Sequence, residues 1–377
     1  MLRQKSPNLS PSKAVRSAEN SIKFMKIFIL SRYDDLGASS RVRYLQYLNH
    51  FENCGWTIKV SPFFSNDYLK ALYSGNSRLQ NVVSSYMRRL VTILQSCKFD
   101  VLIIEKELFP FLPAWFEKVL SHLNIPYIVD YDDAQFHRYD THQNIVVRSI
   151  LKYKIDAVMR QASVVTVGNE YLAKHAYKAG AKRIEIIPTA VDVSQYLPST
   201  QKIDDSPIVG WIGTPQTSHY LRNLLPIFEK LNHKTSVRFV AVGARSIDFS
   251  GTLVEIVNWS KDTEIEAIQS FSIGIMPLPD SPWERGKCGY KLIQCMACAK
   301  PVVASPVGVN NEIVEPGVNG YLAKTLEEWH DYLYILLINP ESRYLMGLSG
   351  RQKVVLNYST QVQASRFSNI IESLVKK

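Results

Sequence analysis

Apolar runs of three to six residues alternate with stretches of helical periodicity along this 377-residue chain, and after a polar break the alternation begins again. No other feature constrains the fold so tightly. A strand buried on both faces reads as a continuous apolar run, and a helix between two such strands carries the chain back so that the second lies parallel to the first. In the first half the runs fall at 25–30 (MKIFIL), 56–60, 101–104, 127–129, 164–167 and 185–187. Between them the spacing predicts a helix with Val42, Leu45, Leu48 and Phe51 on one face, capped by Ser39 or Ser40. Further helices are predicted in two pieces over 67–97 around Gly75, and over 114–123, 145–161 and 170–179. The pattern restarts at Ile208, turns at Gly213, and gives strands at 238–242, 254–257, 273–276 and 302–304. Residues 340–375 read as helical with a break near Tyr358.

A chain of this length exceeds one ordinary core. The expectation is an α/β protein of two Rossmann-like, doubly wound domains facing a cleft. Residues 1–23 are polar and basic, lack the apolar core of a secretion signal, and are expected to form a flexible extension. Residues 24–193 then make the first domain, 194–206 a linker, 207–355 the second domain, and 356–377 a C-terminal helix packing back on the first.

A net charge of +10 points to nucleic acid, an anionic membrane surface or anionic small substrates. The basic residues are spread along the chain, with no zinc-finger spacing and no aromatic ribonucleoprotein signature, which disfavours nucleic acid. Five cysteines, an odd number, suggest a reducing compartment, and the expected location is cytoplasmic. Cys295 and Cys298 form a C-x-x-C without a nearby histidine, so they read as buried thiols and no metal site is expected. One helical region mixes Arg78, Arg88, Arg89 and Lys98 with Leu79, Val82, Val83, Met87, Leu90, Val91 and Leu94. It suits either packing on the sheet or peripheral contact with the anionic inner face of the cytoplasmic membrane.

Residues 283–309 (WERGKCGYKLIQCMACAKPVVASPVGV) carry the chemistry of the second half. Arg285, Lys287 and Lys291 gather at a helix start, where unpaired backbone N–H groups and the helix dipole favour an anion. The reading is a diphosphate site. Loops at the carboxyl ends of strands hold ligands in such sheets. That rule nominates 33–43, 105–110, 130–138, 213–219, 279–291 and 305–312 as the walls of the cleft.

The segments PTAVD at 188–192, KLIQCMACAKPVVAS at 291–305, VGVNNEIV at 307–314 and PGVNGYL at 316–322 resemble the GT-B glycosyltransferases of group 1, or family 4. The resemblance implies that the second domain binds a nucleoside-diphosphate sugar as co-substrate, with no bound cofactor. The first domain would then hold a saccharide or lipid-linked saccharide acceptor, and the sugar would be transferred with retention. GASSRVRYLQYL, EKELFP and DYDDAQF resemble a subgroup associated with polysaccharide, lipopolysaccharide or glycolipid assembly.

Carried over position by position, Gln294 stands where the family has a ribose-binding glutamate, and Gly286 where it has a glutamate beside the donor sugar. Arg285, Lys287 and Lys291 are then the diphosphate clamp, with Gly213 at the first turn of the second domain. Gly37 and Ala38 resemble the loop that approaches the donor phosphate, and Arg41 and Arg43 add charge there or are merely solvated. Asp132 falls where relatives have a histidine, and Asp132 or Asp133 is read as a base or acceptor ligand, with helix capping as the competing role. Glu107 is expected to face the cleft and position the acceptor, unless a basic neighbour pairs with it. Glu312 matches a glutamate near the donor, and the backbone N–H groups of Val309 and Asn310 are expected at phosphate. The expected activity is therefore hexosyl transfer. Three rivals remain: a nucleotide-sugar-binding protein without turnover, a nucleotide-sugar epimerase on the same fold, and a basic nucleic-acid-binding protein.

Overall fold

The computed structural model describes residues 25–74, 79–198 and 206–375. It contains two parallel six-stranded sheets. The first has the order β2-β1-β3-β4-β5-β6, built from β1 (Lys26–Leu30), β2 (Thr57–Val60), β3 (Val101–Glu105), β4 (Tyr127–Tyr131), β5 (Val164–Val167) and β6 (Ile184–Ile186). The second has the order β12-β11-β10-β7-β8-β9, built from β7 (Ile208–Ile212), β8 (Arg238–Val242), β9 (Val254–Val257), β10 (Ile273–Met276), β11 (Val302–Ala304) and β12 (Gly320–Leu322). Every pairing is parallel, as continuous apolar runs demand. Strand order reverses direction beside β1 in one sheet and beside β7 in the other, so the loops after these strands diverge and leave a crevice.

Alternation along the strands divides each core in two. Phe28 and Leu30 of β1 pack with Leu102 and Ile104 of β3 on one face, while Ile27 and Ile29 pack with Val101 and Ile103 on the other. In the second sheet Trp211 and Ile212 belong to opposite faces.

Two local expectations are corrected. Ser39 and Ser40 lie inside the helix Ala38–Arg43, whose N-cap is Gly37, because both hydroxyls are committed to carboxylates on neighbouring strands. The region 145–161 is two helices, Ile145–Leu151 and Lys154–Gln161, rather than one. Gly75, Arg78, the extension 1–23 and most of the expected linker lie outside the described residues.

The chain crosses between the sheets twice, and the crossings are bonded to each other. Val191 N–H donates to the Tyr358 carbonyl at 2.9 Å, and Thr360 N–H donates to the Val191 carbonyl at 2.9 Å. Beyond this point the helix Thr360–Val375 packs on the first sheet, with the Phe367 ring 5.8 Å from Phe51 and 6.2 Å from Tyr47.

Candidate active site

On the first domain the site is built at the ends of β1, β3 and β4. Asp130, buried in β4, accepts from Arg43 Nε at 2.8 Å and Nη2 at 2.5 Å, from Tyr44 OH at 3.0 Å and from Thr166 Oγ1 at 2.6 Å. Arg43 is thus a buried structural cation, not a solvated one, and its third nitrogen donates to the Ile187 carbonyl at 2.7 Å. With β4 pinned in this way, Asp132 projects beyond the strand end. It pairs with Lys106 at 2.9 Å and accepts from Ser39 Oγ at 2.5 Å. Burial works against the Asp132 charge, but Lys106 and Ser39 outweigh it and hold its pKa at about 2. Asp133 moves the other way, raised by burial and by the charge of Asp132. Lys106 lies 3.6 Å from Asp133 and adopts a left-handed backbone with φ 66°, an uncommon conformation for a residue with a side chain.

Ser39 has a second acidic neighbour: its Oγ is 2.9 Å from Glu105 Oε1. A hydroxyl carries one proton, so it donates to one carboxyl group and accepts from the other. Burial raises the Glu105 pKa while Lys106 and Ser39 lower that of Asp132, so Glu105 is the member of the pair that takes up a proton first as pH falls. Arg32 N–H at 2.7 Å and Ser40 Oγ at 2.6 Å both donate to the other Glu105 oxygen.

On the second domain the Lys291 ammonium stands 4.1 Å from the centre of the Trp211 ring and 3.5 Å from Thr217 Oγ1. A Cβ at Gly213 would lie 2.5 Å from that nitrogen, so glycine leaves the space the cation occupies. Neither Lys287 nor Lys291 makes an ion pair with a described residue. Burial, followed by the charge of Lys287, pushes the Lys291 pKa down to about 7. Lys287 in turn acts on Asp133 across the cleft. Lys287, without an ion-pair partner among the described residues, therefore faces Asp133 of the other domain, with Lys291 beside it.

Arg285 does not join them. It is exposed and holds Asp280 through Nε at 2.6 Å and Nη2 at 3.0 Å, so its charge is already matched. Gln294 is buried and donates to Glu264 Oε1 at 2.8 Å and Tyr196 OH at 2.9 Å. Glu264 thus sets a carboxylate beside position 294, and it also accepts from Trp259 Nε1 at 2.5 Å.

Among the described residues the domains touch at several places. Gly286 lies against Ala134, and the Asn169 amide donates to the carbonyls of Gly286 at 2.9 Å and Lys287 at 3.0 Å. Cys288 Sγ lies 3.0 Å from the Asp132 carbonyl. Arg41 reaches across to Glu264 at 3.6 Å and covers the Trp259 ring at 5.3 Å, while Lys261 meets Asp35 at 3.4 Å.

Glu107 requires correction. It is buried beneath the site, paired with Lys154 and with Arg32 at 2.9 Å, and it accepts from Tyr139 OH at 2.7 Å. These cations outweigh burial and lower its pKa, so it is a structural anion turned away from the cleft. Glu312 is exposed among the charges of Glu170, Lys174 and Lys353, which separates it from the lysine pair. Asn310 is buried and donates to the Ser305 carbonyl at 3.0 Å, with Val309 buried before it. Gly37 permits the tight turn against Tyr33, and Ala38 is exposed at the cleft. Lys106, Glu105 and Glu264 were not singled out in the sequence. The alternating charges of EKE directly after an apolar run were the one available signal for the first two. Among the described residues no group of three or more His, Cys, Asp or Glu side chains is placed to hold a metal ion.

Two Rossmann-like domains opposed across a cleft define the GT-B class. Residues 206–339 match the family model of group 1 glycosyl transferases. The whole fold is similar to sucrose-phosphate synthase from Thermosynechococcus elongatus, with a TM-score of 0.69 and 13% identity over 93% of this chain and 99% of that one. A glycosyltransferase from Rickettsia africae gives a TM-score of 0.69 and 14% identity over 94% of this chain and 99% of that one. HepE from Anabaena, solved with UDP-glucose, gives 0.65 and 14% over 93% and 100%. No curated protein matches the chain in sequence.

Proposed function

We propose that this chain is a glycosyltransferase that moves a hexosyl group from a nucleoside-diphosphate sugar to a saccharide or lipid-linked saccharide hydroxyl. The observation that carries the reading is the Lys291 ammonium, without an ion-pair partner among the described residues, beside Gly213 at the reversal point of the second sheet. A half-buried cation without a counter-ion is costly, and a diphosphate oxygen is the ligand that relieves it. Lys287 adds charge at the same place.

Asp132, held anionic by Lys106, is a weak base at neutral pH but a fixed negative charge. It suits stabilisation of positive charge on the sugar ring better than proton abstraction. The leaving phosphate then takes the acceptor proton, which supports transfer with retention. Asp133, with its raised pKa and partial exposure, is the better acceptor-hydroxyl ligand. Exclusion of water by the two closing domains favours transfer over hydrolysis. Assembly of a bacterial polysaccharide or glycolipid at the inner face of the cytoplasmic membrane fits such an acceptor.

UDP is the first nucleotide to test, since the HepE structure contains UDP-glucose. Titration of the protein with UDP, GDP, ADP and dTDP should raise the melting temperature with one of them, and Lys291→Ala should abolish the shift. Equal binding by Lys291→Ala would overturn the assignment. Gly286, which stands where the resemblance places a glutamate and instead packs against Ala134, favours a second reading as a binding protein without turnover. Donor binding without sugar transfer or donor hydrolysis, over a panel of acceptors, would select that reading.

A further inference from the structure

The helices Leu79–Ile93, Trp115–His122 and Ile145–Leu151 all cover the same face of the first sheet. Val82 and Tyr86, Phe116 and Leu120, and Val147 and Leu151 pack into one cluster with Phe28 and Leu102. The helices are neighbours: the Phe109 ring lies 6.0 Å from Tyr86 and 4.4 Å from Phe116, and Phe111 lies 5.6 Å from Tyr139 at the approach to the third.

Their outward faces are apolar as well. Leu79 is 73% exposed and Met87 59%, and with Val83, Val91 and Leu94 they form a stripe at near-helical spacing along the first helix. On the second helix Trp115 is 64% exposed, with Val119 and Leu123 beside it, and on the third Ile150 is 64% exposed, with Ile145 and Val146. Single exposed apolar side chains are ordinary, but a run across three adjacent helices is not. Within the three helices the exposed charges have one sign, and Asp100 lies exposed just beyond the first of them. Between 79 and 99 every charged residue is basic, as between 144 and 155. The one acid between 111 and 124, Glu117, is buried and accepts from Leu108 N–H at 2.9 Å. Arg88, Lys98, Lys118 and Lys152 are exposed along the margins.

We infer that this three-helix face docks on an anionic phospholipid bilayer. The apolar side chains enter the boundary between headgroups and acyl chains, and the marginal bases meet lipid phosphate. The broad outward face of three helices, whose exposed charges have one sign, matches a planar anionic surface. A basic protein of net charge +10 is drawn to such a surface over distances set by ionic strength. The helix Trp115–His122 is the first element after the strand Val101–Glu105, so its N-terminal end lies toward the cleft and carries the docked face to that rim. Delivery of a lipid-linked acceptor along that rim rests on the glycosyl-transfer reading, whereas docking itself does not.

The test is co-sedimentation of the full chain with phosphatidylcholine vesicles, with and without phosphatidylglycerol. The expected result is binding only to the anionic vesicles, weakened by salt. Met87→Glu with Val91→Glu, on one helix, and Trp115→Glu, on another, should each lower the bound fraction by about tenfold or more. Lys98→Glu with Lys118→Glu should lower it with the apolar stripe intact. Nucleotide-induced thermal shifts in the same variants report the cleft separately, so a failed docking proposal and a failed donor reading give different results. Binding to neither vesicle, equal binding to both, or no effect of the variants would overturn the proposal. A dimer that Met87→Glu with Val91→Glu dissociates would assign the face to a second copy instead.

Discussion

Gly286 and Ala134 are so close that a Cβ placed on the glycine would lie 2.6 Å from the alanine Cβ and 2.7 Å from its amide nitrogen. The position where relatives resembling this chain carry a glutamate is thus given over to contact between the two domains. Around it, Asn169 and Cys288 complete a seam in which each domain contributes backbone carbonyls to the other.

Restoring the glutamate should therefore impair this chain. Gly286→Glu is expected to force the seam apart at a cost of about 1–3 kcal/mol and to lower turnover at least tenfold. Nucleotide binding, made by the second domain, should change much less. Steady-state kinetics beside a UDP titration would check this, and Ala134→Gly should recover part of the loss of turnover for Gly286→Ala.

Donor affinity should depend on the protonation of Lys291. The free protein holds this group at about 7, and a bound diphosphate raises it. Below that value the ammonium is present and binding is strongest. Above it, affinity is expected to fall by about tenfold per pH unit while binding takes up a proton. Calorimetric titrations in buffers of different ionisation enthalpy measure that proton directly, and Lys291→Arg should shift the loss to higher pH.

If Glu105 is the neutral member of the pair around Ser39, Glu105→Gln should be tolerated, because the amide also donates one hydrogen bond there and accepts others. Turnover within about threefold of the parent is expected, against a loss of about tenfold or more for Glu105→Ala, which leaves buried donors unpaired. The sign of the pH effect follows from the raised folded-state pKa. The stability it contributes is present below the ordinary glutamate range and is lost as pH rises through the raised value. Glu105→Gln should flatten that part of a stability profile measured by urea unfolding.

Arg43→Ala removes the partner of a buried carboxylate, and the loss is expected to be about 3–5 kcal/mol. Urea denaturation followed by circular dichroism would show it. Arg43→Ala with Asp130→Asn should recover part of the stability, since the stranded charge is gone.

Strands were legible because their burial on both faces leaves mostly apolar residues, and residues 101–104 and 273–276 show this plainly. The place of Lys291 in the first turn of a helix was legible because Gly289 precedes a run of amphipathic spacing. Arg285 misled because its partner Asp280 lies across a turn whose geometry is not written in the spacing. Glu264 was hidden since it meets Gln294 only after the helices Glu264–Ser270 and Tyr290–Ala297 have been laid side by side, thirty positions apart. Glu107 pointed inward because the backbone twists at Lys106, whose positive φ no residue type announces.

The paired crossings at Val191 and Tyr358 have a mechanical consequence. Two covalent links bonded side by side act as a strap that bends readily in one direction and resists torsion, so opening of the halves should follow a single arc. That arc would separate Gly286 from Ala134 and draw Arg41 off Trp259 together, making release of spent nucleotide one concerted event.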